Sequence, residues 1–246
     1  MMESDPHTPV PPMLIAASAG GTRAARYELI GEREGSNPGG WYRHAETGNA
    51  WYCKRYPNPD NARIEALANA IYSRAGIPVP ETGLLAAEDG LWIASKKVAS
   101  GRHATKEEQI SDRRFQAGFV ADAYLANWDV VGEFFDNIIA DDAAVLYRVD
   151  NGGCGPLRAN GESKPYAADA LIELDDMRDP RFHAGQVFGA IDEAAMTAQA
   201  KRLIAALDER FLHDTHQHVG LIGDVGSAML EGLLGRRHAL QNRFRL

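Results

Sequence analysis

The stretch that decides the fold is NWDVVGEFFDNII, residues 127–139, together with VDNGG, residues 149–153, which comes one strand hairpin later. Asp129 lies at the end of an apolar helical segment, Asn137 enters an apolar strand, and Asp150 leaves the paired strand ahead of a glycine pair. This order brings three oxygen-bearing side chains to one edge of a small sheet. Carboxylate and amide oxygens are hard ligands of the kind that Mg²⁺ takes in proteins. The two stretches therefore predict a magnesium site.

Upstream of this stretch, the sequence predicts an antiparallel sheet with one helix. Aromatic runs bounded by Gly, Asn and Pro between residues 27 and 56 predict a strand, loop, strand, turn, strand meander. Asp60 or Asn61 is expected to cap a helix whose apolar residues recur at helical spacing and which stops near Gly76. A second hairpin is expected over residues 82–94.

Downstream, the pattern becomes mostly helical. A polar connector over residues 96–111 leads into a predicted helix over residues 115–126, and a strand hairpin follows over residues 138–149. Asp192 is expected to cap a further helix that continues through Phe211, and a last helix is expected from Val225. We therefore expect an α+β chain in two lobes, with a disordered tail over residues 1–12, an N-lobe over residues 13–100 and a C-lobe over residues 101–246.

Lys54 is the notable basic residue of the N-terminal meander. It shares a strand face with Tyr52, and an ammonium among aromatic residues is costly unless an anion pairs with it. Glu65, on the following helix, is the partner that the chain offers. We therefore predict a Lys54–Glu65 ion pair on which stability depends little. An edge-strand lysine that points to water is the alternative.

The segment GSNPGG, residues 35–40, lies between the first two strands of the meander. Glycine lets backbone amides approach an anion closely, so this loop is a candidate phosphate-binding element. The same composition suits a plain hairpin turn. The candidate ligand-binding residues of the loop are Gly35, Ser36, Asn37, Gly39 and Gly40.

Phosphoryl transfer requires backbone donors around the phosphates, a cation on them, oxygen ligands for magnesium and a group that orients the attacking hydroxyl. The chain supplies all four in order: the loop at residues 35–40, then Lys54, then Asp129 with the oxygens of Asn137 and Asp150. This order of elements resembles the protein-kinase-like fold. The resemblance covers residues 35–153 and implies ATP and Mg²⁺ as cofactors.

The local sequence is closer to atypical kinases than to ordinary protein kinases. Residues 75–80, AGIPVP, are similar to the HipA-like toxin kinases, and residues 127–129, NWD, with the distant Asn137 are similar to the CotH spore-coat kinases. The chain also resembles phosphatidylinositol 3- and 4-kinases and sequences labelled phage head morphogenesis proteins. This resemblance implies an atypical kinase. The likeness to sequences labelled phage head morphogenesis proteins also implies a prophage origin as one alternative.

The resemblance implies a role for each matched residue. Lys54 would hold the nucleotide phosphates and Glu65 would position Lys54. Asp129 would be the catalytic base, while Asn137 and Asp150 would bind magnesium.

One departure from the ordinary kinase pattern concerns the base. Ordinary protein kinases place the metal asparagine five residues after the catalytic aspartate, whereas Asn137 follows Asp129 by eight. The longer gap leaves room for Glu133 or Asp136 to share the role. We expect Asp136 to face away from the metal because neighbouring strand residues point to opposite faces, and we therefore favour Asp129.

The charge and composition of the chain restrict the kinds of partner that it is expected to bind. A net charge of −8 and a pI near 5.5 argue against a protein whose main partner is nucleic acid. No apolar run approaches the roughly 18 residues that a membrane span requires, and no secretory signal is visible. Cys53 and Cys154 are too few for a disulfide framework, so we expect the cytoplasm and no membrane partner.

The sequence thus predicts an ATP-dependent kinase that transfers the γ-phosphate to a hydroxyl, with protein Ser or Thr favoured as the acceptor. A kinase of a small alcohol, such as an inositol derivative, is a second hypothesis. A third is a phage-related assembly or binding module that keeps the fold without turnover.

Overall fold

A computed structural model describes residue 11, residues 13–18 and residues 24–246 of the chain. The predicted tail over residues 1–12 therefore lies outside the described residues, except for Pro11. The carbonyl of Pro11 accepts a hydrogen bond of 2.9 Å from the Tyr42 hydroxyl.

Within the described residues, six strands form a closed antiparallel barrel in the order β1-β2-β3-β4-β6-β5. The predicted meander and second hairpin are confirmed as β2–β4 and β5–β6. The first strand was not predicted, because its MLIAAS sequence lacks alternation and becomes a strand by pairing with both β2 and β5. The strands are β1 (Met13–Ser18), β2 (Ala24–Gly31), β3 (Gly39–His44), β4 (Ala50–Lys54), β5 (Thr82–Ala87) and β6 (Gly90–Lys96).

The barrel has a small aromatic core of its own. Tyr42 and Trp92 are almost fully buried, and their ring centroids lie 6.3 Å apart in an edge-to-face contact. Cys53 is a buried free thiol in the same core. This core fixes the inner faces of β3 and β4.

Helix α1 (Pro59–Arg74) packs across the outside of the barrel. Its predicted cap at Asp60 or Asn61 is wrong by two or three residues: the Asn58 side chain accepts a 3.0 Å hydrogen bond from the Asp60 backbone N–H. Pro59 explains the earlier start, because proline has the φ of a first helical residue and no N–H to satisfy. The helix ends before Gly76, as predicted.

The predicted polar connector contains structure of its own. Strand β7 (Arg102–His103) and helix α2 (Lys106–Ser111) lie within it. Helix α2 begins with a capping box in which Thr105 and Glu108 exchange side-chain and backbone hydrogen bonds. The Thr-x-x-Glu spacing was the sequence signal for this helix.

The predicted helix over residues 115–126 is two short helices, α3 (Arg113–Gln116) and α4 (Phe119–Tyr124). Side chains from elsewhere take up backbone groups at the break. Arg148 donates to the Phe115 carbonyl at 3.0 Å, and Gln199 accepts from the Val120 N–H at 3.0 Å. Backbone groups that these tertiary contacts satisfy do not need a continuous helix.

The predicted strand hairpin over residues 138–149 is confirmed by β8 (Ile138–Ala140) and β9 (Leu146–Arg148), which pair antiparallel. Strand β7 joins β8, so the described chain has a second sheet in the order β7-β8-β9. A short 3₁₀ helix, Asn151–Gly153, follows β9 and contacts α1.

From Glu173 onward the chain is mostly helical, as predicted. Asp192 caps α7 through a 2.7 Å hydrogen bond from the Ala195 N–H, but the helix stops at Ala206 because Asp208 caps a new one. The remaining helices are α5 (Glu173–Asp176), α6 (His183–Phe188), α7 (Glu193–Ala206), α8 (Glu209–Val219) and α9 (Gly223–Phe244).

The larger apolar core runs without a break from α1 through the C-terminal helices. The α+β architecture that the sequence predicts is confirmed: a curled antiparallel sheet and α1, followed by a mostly helical part. The division at residue 100 stays a prediction. Among the described residues, no helix combines the length and apolar character needed to cross a bilayer.

Candidate active site

A cleft of about 520 Å³ lies between the barrel and the second sheet. This volume is in the usual range for a site that binds a small molecule or cofactor. Its walls include most of the residues that the sequence singles out: Gly35, Ser36, Asn37, Lys54, Glu65, Asp136, Asn137 and Asp150.

Lys54 is the central charge of this cleft. Its Nζ lies 3.0 Å from Glu65 Oε2 and 2.5 Å from Asp150 Oδ1. The predicted Lys54–Glu65 ion pair is therefore present. The edge-strand alternative is wrong, because β4 lies between β3 and β6 and Lys54 is only 7% exposed.

Burial and charge act in opposite directions on these three groups. Burial alone would lower the pKa of Lys54, but the carboxylates of Asp150 and Glu65 raise it above its ordinary value. Burial raises the pKa of Glu65, against the effect of Lys54. Lys54 lowers the pKa of Asp150, so Asp150 is the carboxylate that this ammonium keeps most firmly ionised.

Tyr56 belongs to this cluster and was missed as a site residue. Its hydroxyl lies 2.6 Å from Glu65 Oε2 and 2.9 Å from Asp150 Oδ1, so its single proton has two carboxylate acceptors. Burial raises the pKa of Tyr56 well above its ordinary value, which keeps this proton in place. The period-two spacing from Lys54 was the available sequence signal.

Gly152 makes the approach of Tyr56 possible. A Cβ at this position would lie 2.2 Å from the Tyr56 hydroxyl oxygen, which is far inside van der Waals contact. Gly152, two residues after Asp150, therefore lets the Tyr56 side chain approach Asp150 closely.

Asp150 itself adopts a left-handed backbone conformation, with φ of 58° and ψ of 47°. Non-glycine residues in this region are uncommon and concentrate at functional sites. Its contacts with Lys54 and Tyr56 both fall on Oδ1. No described residue donates a hydrogen bond to Asp150 Oδ2, so that oxygen is available to a ligand.

Asn137 is oriented by Asp129. The Asn137 side-chain nitrogen donates to the Asp129 backbone carbonyl at 2.8 Å and lies 3.5 Å from its carboxylate. With the nitrogen occupied in this way, the amide oxygen of Asn137 is the atom left for a ligand. Asn137 and Asp150 thus offer one amide oxygen and one carboxylate oxygen to the same cleft.

These two ligands fit a magnesium ion that also binds phosphate oxygens. Magnesium commonly takes only one or two protein oxygens and completes its shell with substrate phosphates and water. In the described part of the chain, no group of three or more His, Cys, Asp or Glu side chains is arranged to hold a metal alone. Asn137 and Asp150 together are a two-oxygen donor set of the kind that Mg²⁺ uses with substrate phosphates.

Asp129 lies beside Asn137 and is exposed. Partial desolvation of its carboxylate, and then the negative charges of Asp150 and Asp136, raise its pKa. Asp136 lines the cleft next to Asn137, contrary to the expectation that it faces away. The alternation argument fails because both residues precede β8 and are not part of the strand.

The glycine loop divides into two parts. Gly35, Ser36 and Asn37 line the cleft, whereas Gly39 and Gly40 belong to β3, opposite Lys54 and Cys53. A Cβ on Gly39 would lie 2.7 Å from the Cys53 carbonyl oxygen, so this glycine serves the packing of β3 on β4. Only the first part of the loop is placed to meet a ligand.

The cleft and its surroundings define a protein-kinase-like fold. No family model matches the chain, and no curated protein matches it in sequence. Among solved structures, the chain is similar to the Helicobacter pylori proinflammatory kinase CtkA, at 14% identity and a TM-score of 0.59 over 89% of this chain and 95% of that one.

Two further kinases are matched more loosely. Vaccinia related kinase 3 has 12% identity and a TM-score of 0.41 over 98% of this chain and 94% of that one. A Toxoplasma gondii rhoptry kinase has 11% identity and a TM-score of 0.38 over 95% and 84%. At these identities, the similarity to CtkA shows the fold alone.

Proposed function

We propose that this chain is an ATP-dependent kinase that transfers the γ-phosphate of ATP to a hydroxyl acceptor. The observation that carries the proposal is the buried Lys54 between Glu65 and Asp150 at the bottom of the cleft. Phosphoryl transfer needs a cation at the phosphates, and protein kinases hold theirs in a Lys–Glu ion pair of this kind.

In the proposed complex, Lys54 contacts the phosphates and Glu65 holds Lys54 in place. Backbone amides of Gly35, Ser36 and Asn37 cover the phosphates from the barrel side. Asn137 and Asp150 hold Mg²⁺, which neutralises the phosphate oxygens when bound.

Asp129 is the proposed group that orients the acceptor hydroxyl. A raised pKa suits a carboxylate that accepts a proton late in the reaction. Asp136 is a competitor for this role because it lines the cleft. Asp129 is favoured because its backbone carbonyl already positions the metal ligand Asn137.

A protein Ser or Thr is the proposed acceptor, in preference to a small alcohol. The loop between Asp129 and Asn137 carries Phe134, whose side chain is 78% exposed. An exposed aromatic ring in this loop offers contact area to a polypeptide acceptor, whereas a small polyol is too small and too polar to cover it.

The finer affiliation also belongs to the proposal. Residues 75–80 and 127–129 support placement among the atypical HipA-like, phosphatidylinositol-kinase-like and CotH-like kinases. Cys53 and Cys154 are both buried free thiols, which supports a reducing compartment such as the cytoplasm.

The test is incubation of the purified chain with γ-labelled ATP, with Mg²⁺ or with EDTA, followed by measurement of self-labelling, labelling of a generic protein acceptor and ATP hydrolysis. Lys54→Met is the inactive variant, assayed below its own melting temperature so that loss of folding is not read as loss of activity. Magnesium-dependent labelling by the parent chain alone supports the proposal. Binding of ATP without any turnover supports a binding module instead, and labelling of an inositol but no protein supports the small-alcohol alternative.

A further inference from the structure

The two loops that carry Asp129 and Asp150 are joined by a buried amide. The Asn127 side-chain nitrogen donates to Asn151 Oδ1 at 2.9 Å, two residues before Asp129 and one residue after Asp150. Asn127 and Asn151 are 2% and 0% exposed, so water does not compete for this hydrogen bond.

The side-chain amide of Asn151 also reaches the helix that carries Glu65. The Asn151 side-chain nitrogen donates to Asn69 Oδ1 at 2.8 Å, and Asn69 lies one helical turn after Glu65 on α1. One side chain thus connects α1 with both loops. A hydrogen-bonded amide at such a junction fixes the relative position of all three segments.

Lys164 makes a second connection between the same two loops. Its Nζ donates to the Ala126 carbonyl at 2.7 Å and also to the Gly153 carbonyl. Ala126 has a φ of 49°, an uncommon conformation for a residue other than glycine, and it immediately precedes Asn127. Lys164 therefore holds a strained position at the start of the Asp129 loop.

The placement of Lys164 is costly in itself. Burial lowers its pKa to about 8, and within the described chain it forms no ion pair with a carboxylate. A buried ammonium needs hydrogen-bond acceptors in place of the water that it has lost. Here both acceptors are loop carbonyls that flank proposed site residues.

We infer that Asn151 and Lys164 form a loop clamp, a pair of positioning residues that fixes the Asp129 loop relative to the Asp150 loop. The inference rests on the proposed kinase function. Neither side chain touches the substrate in this account. They act through the distance between the hydroxyl-orienting carboxylate and the metal-binding carboxylate, and an error of about 1 Å in such a distance costs on the order of 10²-fold in rate.

The experiment compares Asn151→Leu, Lys164→Met and Lys164→Arg with Gln199→Leu in the full chain. Gln199 is a suitable control because it is also a buried bridging amide, bonded to the Val120 N–H and the Gln116 carbonyl on the far side of α4. Each variant is assayed below its own melting temperature for kcat, for KM of magnesium ATP and for magnesium ATP affinity by calorimetry.

The clamp predicts that Asn151→Leu and Lys164→Met lower kcat by about 10- to 100-fold with a smaller change in nucleotide affinity. Lys164→Arg keeps the charge and recovers part of the rate, and Gln199→Leu loses stability but not kcat. Lys164 is partly exposed, so Lys164→Met carries the test if Asn151→Leu does not fold.

Equal kcat values for Lys164→Met, Gln199→Leu and an active parent chain would overturn the clamp and leave the kinase proposal standing. A parent chain that neither binds nor turns over magnesium ATP would overturn both.

Discussion

Lys54 Nζ lies 2.5 Å from Asp150 Oδ1, although Lys54 ends barrel strand β4, Asp150 follows β9 of the second sheet, and 96 positions separate them in the chain. Both residues line the cleft between the barrel and the second sheet. Both groups are proposed to meet phosphate or metal. Their direct contact marks where an anionic ligand and its cation would enter between them.

Replacement of Lys54 by Met is expected to destabilise the fold as well as abolish activity. Glu65 is 1% exposed and would lose its cationic partner, and breaking a buried ion pair typically costs about 3–5 kcal/mol. The burial of both side chains therefore leads us to expect a larger effect on stability than the sequence alone suggested. The measurement is the free energy of unfolding in urea.

The matched control is the double variant Lys54→Met/Glu65→Leu. Removing Glu65 as well leaves only Asp150 without its cation, and the Asp150 side chain is 45% exposed to water, so the double variant should be more stable than Lys54→Met alone. Equal stability of Lys54→Met and the parent chain would mean that the pair contributes nothing to folding.

The identity of the hydroxyl-orienting carboxylate is tested by two single substitutions. Asp129→Asn is expected to lose about 10²- to 10⁴-fold in phosphoryl transfer and to keep its affinity for magnesium ATP. Asp136→Asn is expected to retain most of its activity. A folded but inactive Asp136→Asn beside an active Asp129→Asn would reverse the assignment.

The acid side of the pH–rate profile provides an independent test of Asp129. Its pKa is raised by partial desolvation, then by Asp150, Asp136 and, more weakly, Glu133. A base must be deprotonated, so a raised pKa moves the acid loss of activity to higher pH. Asp136→Asn removes one negative neighbour and should shift the acid limb of kcat/KM to lower pH.

Glu133→Gln is the graded control for this shift, because Glu133 acts less strongly on Asp129 than Asp136 does. Its acid limb should move in the same direction by a smaller amount. Identical profiles for the parent chain and both variants would show that Asp129 is not the titrating base.

Much of the fold could be predicted because the sequence signals for its strands and helices lie close together in the chain. Turn residues delimit β2–β4 and the two hairpins, and helical spacing marks α1. The break between α3 and α4 could not be predicted, because it depends on Arg148 and Gln199, which reach it from distant parts of the chain. Strand β1 likewise depends on its pairing partners.

The site shows the same division between local and distant information. Lys54 and Glu65 are eleven residues apart across one turn, so their contact was within reach of sequence reasoning. The hydrogen bond from Tyr56 to Asp150 spans 94 positions and needed the tertiary structure. The packing role of Gly39 could not be predicted from the sequence, because the segment GSNPGG in which it lies is equally compatible with a phosphate-binding loop.

Gly152→Ala tests the contact between the two sides of the cleft. The new Cβ would lie 2.2 Å from the Tyr56 hydroxyl oxygen and would push Tyr56 away from Asp150. Such overpacking typically costs about 1–3 kcal/mol. Thermal or urea unfolding should show the loss, together with weaker nucleotide binding.

Gly153→Ala is the neighbouring control, since its Cβ would have its nearest contact at 3.3 Å, to the Ala159 nitrogen. It should be milder than Gly152→Ala in both stability and binding. Comparable losses in the two variants would indicate a general intolerance of this turn instead of a specific clash with Tyr56.

The central claim is that the cleft binds a magnesium nucleotide through Asp150. Its most direct test is calorimetric titration of ATP into the parent chain and Asp150→Asn, each with Mg²⁺ and with EDTA, beside Asp142→Asn as an exposed-turn control. The account predicts magnesium-dependent binding by the parent and Asp142→Asn and clearly weakened binding by Asp150→Asn. A parent chain that does not bind, or an Asp150→Asn variant that binds magnesium ATP as tightly as the parent, would contradict it.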